Sequence, residues 1–388
     1  MSFFSFQPST ALISIVLLTG CTTLPSSGPP ASDINSSSSS VDGASIQVVE
    51  VDAEVTRRLQ KLRKQLLFSE VYGTGPHPES TDTMGVGDAL EVHIWEAPPA
   101  TLFGGNTLEA QVSTTGSRAT TLPEQVVDRE GFIVVPFAGR VPAAGRKIAS
   151  IEAEIIKRLA KKSHQPEVLI RRTRNRSATV AVVGDVTTSV SLPLTPGGER
   201  LLDALAAAGG VRQAVSRTTL QITRGNQYLT LPLDTVIRDP RQNITLKPGD
   251  VITAMFQPLS FTALGATGKN EEINFEAQGI TLAQALARAG GLLDSRSDAQ
   301  GVFIFRFEPE VALPWPKQPV VTSPDGMVPV VYRLDLKKPS SFFVMQSFAI
   351  NNKDIVYVSN SPAAEIQKFL NLVLPFAYQA LMTVQVTK

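Results

Sequence analysis

The chain has 388 residues, a length sufficient for two or three domains. Its formal net charge of +1 gives no electrostatic reason to expect a nucleic-acid partner, and none is predicted. One cysteine and three widely spaced histidines, without ligand spacings such as CxxC or HExxH, give no basis for a protein-built zinc site. No run of 18 apolar residues follows the N-terminal segment, so an ordinary transmembrane helix is not expected.

The N-terminus resembles the signal peptide of a bacterial lipoprotein. Residues 1–20 carry no charged side chain, and an apolar run leads into Leu18-Thr19-Gly20-Cys21, which fits a lipobox. The absence of Lys and Arg near the start departs from that pattern. The resemblance implies cleavage before Cys21, with diacylglycerol and acyl modification of this cysteine and no other cofactor. Thr22 in the next position implies sorting to the outer membrane.

Two further segments precede the first predicted domain. The proline- and serine-rich composition of residues 21–50 predicts a flexible tether. Val51 to Phe68 carries apolar residues at helical spacing with Arg and Lys between them. This pattern favours a surface helix with a solvated basic face, within an N-terminal helix and linker over residues 51–83.

The next stretch predicts a strand and then a hairpin. Gly87-Asp88 is a turn signal in which Asp88 is expected to accept bonds from nearby backbone N–H groups. Ala89 to Glu96 alternates apolar and polar residues, which predicts a strand with Trp95 and Glu96 outside its main apolar row. Trp95 is expected to reach the core from a second layer. Leu102 to Gln125 is expected to be an exposed loop, and Val127 to Val141 a hairpin.

A helix and a basic strand follow. Ile148 to Leu159 has amphipathic spacing and predicts a helix, and Pro166 to Ile170 predicts a strand. The densest charge run comes next and comprises Arg171, Arg172, Arg174 and Arg176. A solvated turn between strands is the favoured interpretation, and a basic rim that attracts an acidic polymer is the alternative.

In this order the motifs resemble the polysaccharide export domain. The pattern is G-D-x-L-x-[VI]-x-[VI]-W, then V-D-x-x-G-x-I-x-x-P-x-x-G-x-V, then a helix and P-x-V-x-[VI]. The matching residues are Gly87, Asp88, Leu90, Trp95, Val127, Asp128, Gly131, Ile133, Pro136, Gly139, Val141, Pro166 and Val168. We expect this domain over residues 84–176.

The remainder contains an internal duplication with an offset of 81 residues. Val183-Gly184 corresponds to Leu264-Gly265, and Ala208-Gly209-Gly210 corresponds to Ala289-Gly290-Gly291. Each Gly pair is read as a helix C-cap, and without a P-loop or GxGxxG motif nucleotide binding is unsupported. The copies resemble soluble-ligand-binding β-grasp domains and are placed at residues 177–257 and 258–360.

No catalytic constellation is recognisable in the sequence. There is no GxSxG motif, the cysteine is consumed by the expected lipidation, and the carboxylates form no recognisable pair. The sequence therefore predicts no catalytic residues and no enzyme.

The last predicted element is an amphipathic helix over Ala363 to Thr383, within a C-terminal segment of residues 361–388. As a helix its 21 residues would span about 31 Å, close to the thickness of a bilayer core. One face is too polar to contact lipid. Such a helix can lie on a membrane, pack on a globular core, or span the membrane as one member of a ring.

The order of these segments resembles the outer-membrane polysaccharide export, or capsule auxiliary, lipoproteins. The signal peptide is placed at residues 1–20. The fold class expected for the rest of the chain is α+β, with a small mixed-sheet export domain, two β-grasp-like repeats and a C-terminal amphipathic transmembrane helix that forms an oligomeric α-barrel. The resemblance implies a homo-oligomeric ring, commonly an octamer, that exports capsular or extracellular polysaccharide through the outer membrane of a Gram-negative bacterium. It also implies a large periplasmic part and an inner-membrane partner, either an ABC transporter or a polysaccharide copolymerase.

This resemblance assigns faces to ten residues of the last helix. The predicted pore-lining residues are Gln367, Lys368, Asn371 and Gln379. The predicted lipid-facing or neighbour-facing residues are Ile366, Phe369, Leu370, Val373, Phe376 and Leu381. Two alternatives stay open: a peripheral glycan-binding or complex-organising lipoprotein without a pore, and a periplasmic enzyme acting on polysaccharide.

Overall fold

A computed structural model describes residues 28–36, 40–41, 43–63, 66–73, 83–97, 102–103, 118–368 and 370–371. The predicted signal peptide, Cys21 and the end of the C-terminal helix lie outside the described residues. The chain divides into two compact units. One unit contains the chain up to Lys64 and from Pro258 onwards, and the other contains Gln65–Gln257.

The elements are numbered in chain order. The helices are α1 (Ala31–Ser36), α2 (Ala53–Leu62), α3 (Phe68–Tyr72), α4 (Ile148–Leu159), α5 (Leu201–Ala207), α6 (Leu233–Arg238), α7 (Leu282–Arg288), α8 (Pro339–Met345) and α9 (residues 362–368 and 370–371). The strands are β1 (Ser40–Val41), β2 (Ala44–Ser45), β3 (Gln47–Glu50), β4 (Ala89–Glu96), β5 (Arg118–Thr121), β6 (Gln125–Val126), β7 (Phe132–Val135), β8 (Gly139–Pro142), β9 (Glu167–Arg174), β10 (Thr179–Gly184), β11 (Val190–Pro193), β12 (Thr218–Arg224), β13 (Gln227–Pro232), β14 (Val251–Phe256), β15 (Leu259–Gly265), β16 (Glu271–Phe275), β17 (Ile280–Thr281), β18 (Ser297–Pro309), β19 (Met327–Leu334), β20 (Ala349–Ile350) and β21 (Asp354–Asn360).

The first folded region is a small sheet covered by one helix. On one side, strand β4 pairs antiparallel with β5 and, further along, with β6. On its other side it pairs antiparallel with β9. Strands β7 and β8 form a separate hairpin. Helix α4 has the bounds that its amphipathic spacing predicted, and it packs on β9. The predicted strand at Ala89 to Glu96 and the hairpin after Asp128 are also confirmed.

Three predictions in this region were wrong. The stretch Leu102 to Gln125 is not simply an exposed loop, because Phe103 is buried and β5 pairs with β4. Trp95 is only half-buried and contributes to no core cluster. The predicted turn is wrong for three of the four arginines, because β9 continues through Arg174 and pairs with β4 from Ala89 to Trp95, while Arg176 lies in the connection between β9 and β10.

The two β-grasp-like repeats have the same strand arrangement. Their sheets have the orders β11-β10-β14-β12-β13 and β16-β15-β21-β18-β19-β3. In each, the first strand pairs parallel with the last one, β10 with β14 and β15 with β21. The helices α5 and α7 lie 81 residues apart, as the duplication predicts. The predicted α+β class with mixed sheets therefore describes the observed fold.

Glycine is required where the first strand of each repeat ends. A Cβ on Gly184 would lie 2.1 Å from the carbonyl oxygen of Ala254, and a Cβ on Gly265 would lie 2.1 Å from that of Val358. Both glycines also have positive φ, which L side chains rarely adopt. The predicted caps are confirmed as well, since Gly209 and Gly290 follow α5 and α7 with φ near +80°.

The N-terminal segment is more ordered than its composition predicted. Residues 21–50 were expected to be a tether, but β3 at their end pairs parallel with β19 and extends the second repeat's sheet. Val49 from this strand is buried in the core of that sheet. The single helix predicted over Val51 to Phe68 is also wrong. Helix α2 ends at Leu62, and Phe68 begins α3 because this ring is fully buried in the core of the first repeat.

Candidate functional site

The start of α9 is fixed directly to the sheet of the second repeat. Strand β21 ends at Asn360, and α9 begins two residues later. Ser361 caps the helix, because its Oγ accepts from the N–H of Ala364 at 3.2 Å. The N–H of Ser361 donates to the carbonyl of Arg296 at 2.8 Å. With Ala364 buried, the first turn of α9 is held against the body of the unit.

The described turns of α9 present two adjacent rows of side chains that no described part of the chain covers. Ile366 and Leu370, four residues apart, are 60% and 43% exposed. Gln367 and Asn371, offset by one position, form a polar row that is also exposed. Lys368 belongs to a different row, where its Nζ lies 2.9 Å from Oε1 of Glu365.

The other predicted residues of this helix lie outside the structural description. The side chain of Phe369 is not described, nor are Val373, Phe376, Gln379 and Leu381. None of the helices in the described part of the chain has both the length and the apolar character needed to cross a bilayer.

The described N-terminus lies on the strand that leads into α9. The Oη of Tyr357 on β21 donates to the carbonyl of Pro29 at 2.9 Å. Gly28 passes so close that a Cβ there would lie 2.7 Å from the same Oη. The predicted lipidation residue, Cys21, is seven positions upstream of Gly28. An extended chain of seven residues spans at most about 24 Å.

A buried ion pair holds the last strand in each repeat, and the sequence reasoning missed it. In the first repeat, Arg224 donates from Nε and Nη2 to the two carboxylate oxygens of Asp250, at 2.8 and 2.7 Å. In the second, Arg306 makes the same forked contact with Asp354, at 2.8 Å from Nε. Asp354 is the first residue of β21 and Asp250 immediately precedes β14, at corresponding positions, and both are 1% exposed. The sequence does carry one signal for these pairs, because Lys-Pro-Gly-Asp-Val at residues 247–251 resembles Asn-Lys-Asp-Ile at residues 352–355.

The ion pair of the second repeat extends into a larger network. Glu308 accepts from Nη1 of Arg306 at 3.2 Å and from Oη of Tyr332 at 3.1 Å, and it also pairs with Arg63 at the end of α2. Burial and the negative charge of Glu308 raise the pKa of Tyr332 well above its usual range, so this phenol stays a donor. Two arginines thus balance two buried carboxylates.

Two buried carboxylates organise the export region. Asp88 accepts from the N–H groups of Gly85, Arg176 and Ser177, which closes the predicted turn and ties it to the start of the first repeat. Glu96 was expected on the polar side of β4 but is fully buried. Burial acts to raise its pKa, but bonds from the N–H groups of Phe103 and His164, among other donors, outweigh this and lower it.

The arginine run is divided between internal and exposed positions. Arg172 donates to the carbonyl of Thr83 at 2.9 Å, and Arg174 pairs with Glu124. Only Arg172 is partly buried, whereas Arg171, Arg174 and Arg176 are exposed. The structure therefore does not place all four arginines on one open surface. In the described residues no group of three or more His, Cys, Asp or Glu side chains could hold a metal ion.

Comparisons with known proteins identify the family. A model for polysaccharide biosynthesis/export proteins matches residues 76–172, and a model for the SLBB domain matches residues 178–253 and 260–358. The chain is 41% identical to the capsule polysaccharide export outer membrane protein CtrA of Neisseria meningitidis serogroup B, over 92% of this chain and 91% of CtrA. It is 39% identical to the capsule polysaccharide export protein BexD of Haemophilus influenzae, over 94% and 95% of the two chains. The Vi polysaccharide export protein VexA/TviF of Salmonella typhi is 26% identical, over 92% and 94%.

The chain therefore belongs to the family of capsule polysaccharide export outer membrane proteins. This membership confirms the resemblance found in the sequence and the expected outer-membrane location. It also agrees with the expectation that the chain is not an enzyme.

Proposed function

We propose that this protein exports capsular or extracellular polysaccharide as an oligomeric channel in the outer membrane. In this proposal, Cys21 carries the lipid anchor, the export domain and both repeats lie in the periplasm, and the C-terminal helices of a ring of copies, an octamer in the expected form, line the pore. The relatives named for capsule polysaccharide export support the substrate class.

The observation that carries the proposal is the pair of uncovered rows on α9. Ile366 and Leu370 would gain by leaving water, while the amides of Gln367 and Asn371 need water or hydrogen-bonding partners. One helix cannot satisfy both rows in lipid, because the polar row would be left without partners. A closed ring of helices satisfies both, with the apolar row towards lipid or a neighbour and the amide row towards a water-filled lumen.

The polar row also suits the proposed substrate. Amide side chains donate and accept hydrogen bonds without a fixed charge. A hydroxyl-rich polymer could exchange such bonds as it moves past Gln367, Asn371 and Gln379. The inner-membrane partner in this proposal is an ABC transporter or a copolymerase that delivers the polymer to the periplasmic part.

Cysteine labelling tests the orientation of the helix. With Asn371→Cys or Gln379→Cys, a small membrane-impermeant maleimide added to intact cells should modify the protein, and a bulky impermeant maleimide should not. Ile366→Cys is the matched control one row away, and it should resist both reagents. Equal labelling at positions 366 and 371 would contradict a ring with a polar lumen.

A deletion tests the requirement for the segment. Removal of residues 362–388 should abolish surface polysaccharide while leaving the folded body and its lipid anchor in the outer membrane. The peripheral alternative predicts that export continues, because the helix would then serve only the protein's own core. The exposure of Ile366 and Leu370 argues against that alternative over the described turns.

A further inference from the structure

The two repeats differ on the outer face of their sheets, which is the face opposite the main core. On this face the first repeat carries polar side chains where the second carries aromatic rings. The strand registers align Gln221, Thr223 and Thr253 of the first repeat with Phe303, Phe305 and Tyr357 of the second. Aromatic rings lose free energy by contact with water, so the second repeat is the one whose outer face needs a cover.

Helix α1 covers one part of this aromatic face. Ile34 packs on Phe303 and Tyr357, and all three side chains are buried. Leu264, which pairs with Tyr357 across two strands, is nevertheless 40% exposed, and Ile355 is 38% exposed. The described part of the chain therefore leaves an apolar area of the same face uncovered.

The uncovered area forms a cavity of about 460 Å³. Its apolar wall consists of Leu264, Phe305, Ile355 and the ring of Tyr357, and all its lining residues belong to one compact unit. Pockets that bind small ligands commonly have volumes of about 300–1,000 Å³, with mostly apolar walls and a few polar groups. Both the size and the lining of this cavity fit a ligand site.

A cationic side chain in the cavity lining lacks a partner for one of its donors. The Nη2 of Arg296 donates to the carbonyl of Gly265 at 3.1 Å. Its Nε is buried without an acceptor, and no carboxylate of the described residues pairs with this guanidinium. A buried donor normally has an acceptor, and a positive charge favours an anionic one. The cavity thus combines an apolar wall with a position for one acidic group.

The chemistry of the lining favours an acyl chain over a sugar ring. A sugar would bring several hydroxyl groups against branched aliphatic side chains that cannot bond them, which is costly. Arg296 and Asn270 supply the polar side chains of the lining, because the Oη of Tyr357 already donates to the carbonyl of Pro29. An acyl chain has no polar group to satisfy, and it gains by leaving water.

We propose that this cavity binds an anionic amphiphile, with its acyl chain against Leu264, Phe305 and Ile355. An oxygen of its head group, a carboxylate or a phosphate, accepts from the Nε of Arg296. The backbone carbonyl of Arg296 also accepts from the N–H of Ser361, the residue that caps α9. The bound head group therefore lies on the residue that holds the first turn of α9.

Thiol protection tests this site in the purified full-length protein in a neutral detergent, after a hydrophobic resin has removed copurified amphiphiles. In Ile355→Cys, palmitate or palmitoyl lysophosphatidylglycerol at saturation should slow modification by a maleimide at least about tenfold, and neutral monopalmitoylglycerol should need about tenfold higher concentrations. Mass spectrometry of the peptide that contains position 355 measures the rate. Phe343→Cys, at a position 74% exposed in the same unit, should react at one rate throughout.

Two further substitutions separate the contributions of the head group and the acyl chain. Arg296→Gln should raise the concentration of palmitate that gives half protection about tenfold and leave that of monopalmitoylglycerol unchanged. Phe305→Thr, which introduces the residue that the first repeat has at this position, should weaken protection by all three amphiphiles. Whichever anionic amphiphile protects at the lower concentration identifies the preferred head group as carboxylate or phosphate.

Lack of protection by both anionic amphiphiles would overturn the proposal, and so would protection by monopalmitoylglycerol at the same concentration. Protection only by polysaccharide extracted from the producing cells would assign the cavity to a sugar instead. A thiol at position 355 that is unreactive before any addition would show that the protein itself covers the cavity, which also overturns the proposal. The measurement needs no export, so its result is independent of the proposed channel.

Discussion

Truncation of Arg306 should strongly destabilise the second repeat. Its side chain is 3% exposed, and the carboxylates of Asp354 and Glu308 beside it are 1% and 3% exposed. In Arg306→Met, Arg63 still compensates Glu308, but Asp354 is left as an uncompensated buried charge. Loss of one partner from a buried pair costs roughly 3–5 kcal/mol, and we expect a loss of that size in the free energy of unfolding.

Tryptophan fluorescence can report on this unit alone. The chain has two tryptophans, and Trp315 is buried in the core that contains the network. In a Trp95→Phe background, urea unfolding of the full chain in mild detergent should show a midpoint lowered by at least about 1 M in Arg306→Met, for a slope of about 1–3 kcal/mol per molar urea.

A surface pair in the same unit provides the control. Arg288 contacts Glu276 at 2.8 Å, but the two side chains are 35% and 42% exposed. Arg288→Met should therefore cost no more than about 1 kcal/mol. Adding Asp354→Asn to Arg306→Met should restore part of the lost stability, because it removes the uncompensated charge. The reasoning is refuted if Arg306→Met costs no more than the control, or if the double variant is less stable than the single one.

Three further predictions follow from individual contacts. The pKa of Glu96 is lowered in the folded state, so the ionised carboxylate stabilises the fold at pH values above its ordinary pKa of 4.5. This stabilisation is lost as the pH falls through the lower pKa of the folded state. Glu96→Gln should therefore flatten the pH dependence of the unfolding midpoint in that pH range. Gly265→Ala should lower the thermal unfolding midpoint much more than Gly279→Ala. Both glycines have positive φ, but only at position 265 would the added Cβ lie against a backbone carbonyl, at 2.1 Å. Equal shifts of the two midpoints would contradict this reasoning. Ser361→Ala should cost about 1 kcal/mol and speed hydrogen exchange in the first turn of α9, and unchanged exchange would show that this cap is not needed.

The features that the sequence predicted well are set by local spacing. Helix α4 matches its predicted bounds because its apolar residues recur at helical spacing with nothing competing for them. The duplication is equally visible, since an 81-residue offset is preserved through strand, helix and glycine pair. Gly184 and Gly265 repeat because each last strand passes too close for a side chain.

The features that the sequence reasoning missed depend on distant partners or on position within a strand. Glu96 follows Leu90, Val92 and Ile94 at a spacing of two and so points inwards, although its charge suggested the opposite. Its burial is possible because N–H groups from outside the strand reach it. The pairing of Arg306 with Asp354 joins residues 48 positions apart, and no local pattern specifies such a contact.

The N-terminal segment shows how composition can mislead. Its serines and prolines indicate a chain that cannot form a core of its own. Strand β3 nevertheless adds to a sheet edge that another part of the chain provides, with the side-chain amide of Gln47 bonded to the backbone N–H and carbonyl of Lys317 at 2.9 and 3.1 Å. A segment that becomes ordered by packing on the core of another part of the chain shows no strong strand pattern in its own sequence.

The duplication also explains where the C-terminal helix is attached. In the first repeat, β14 lies between β10 and β12 and leads directly into β15, the first strand of the second repeat. In the second repeat, β21 lies between β15 and β18 and leads instead into α9. The helix therefore begins where a third repeat would begin, at the end of an interior strand whose first residue, Asp354, is held by Arg306. An interior strand with bonds on both sides is among the last elements of a sheet to open. In the ring proposed above, each helix would need a fixed angle to the body that carries it, and attachment to such a strand meets that requirement better than attachment to a loop or a sheet edge.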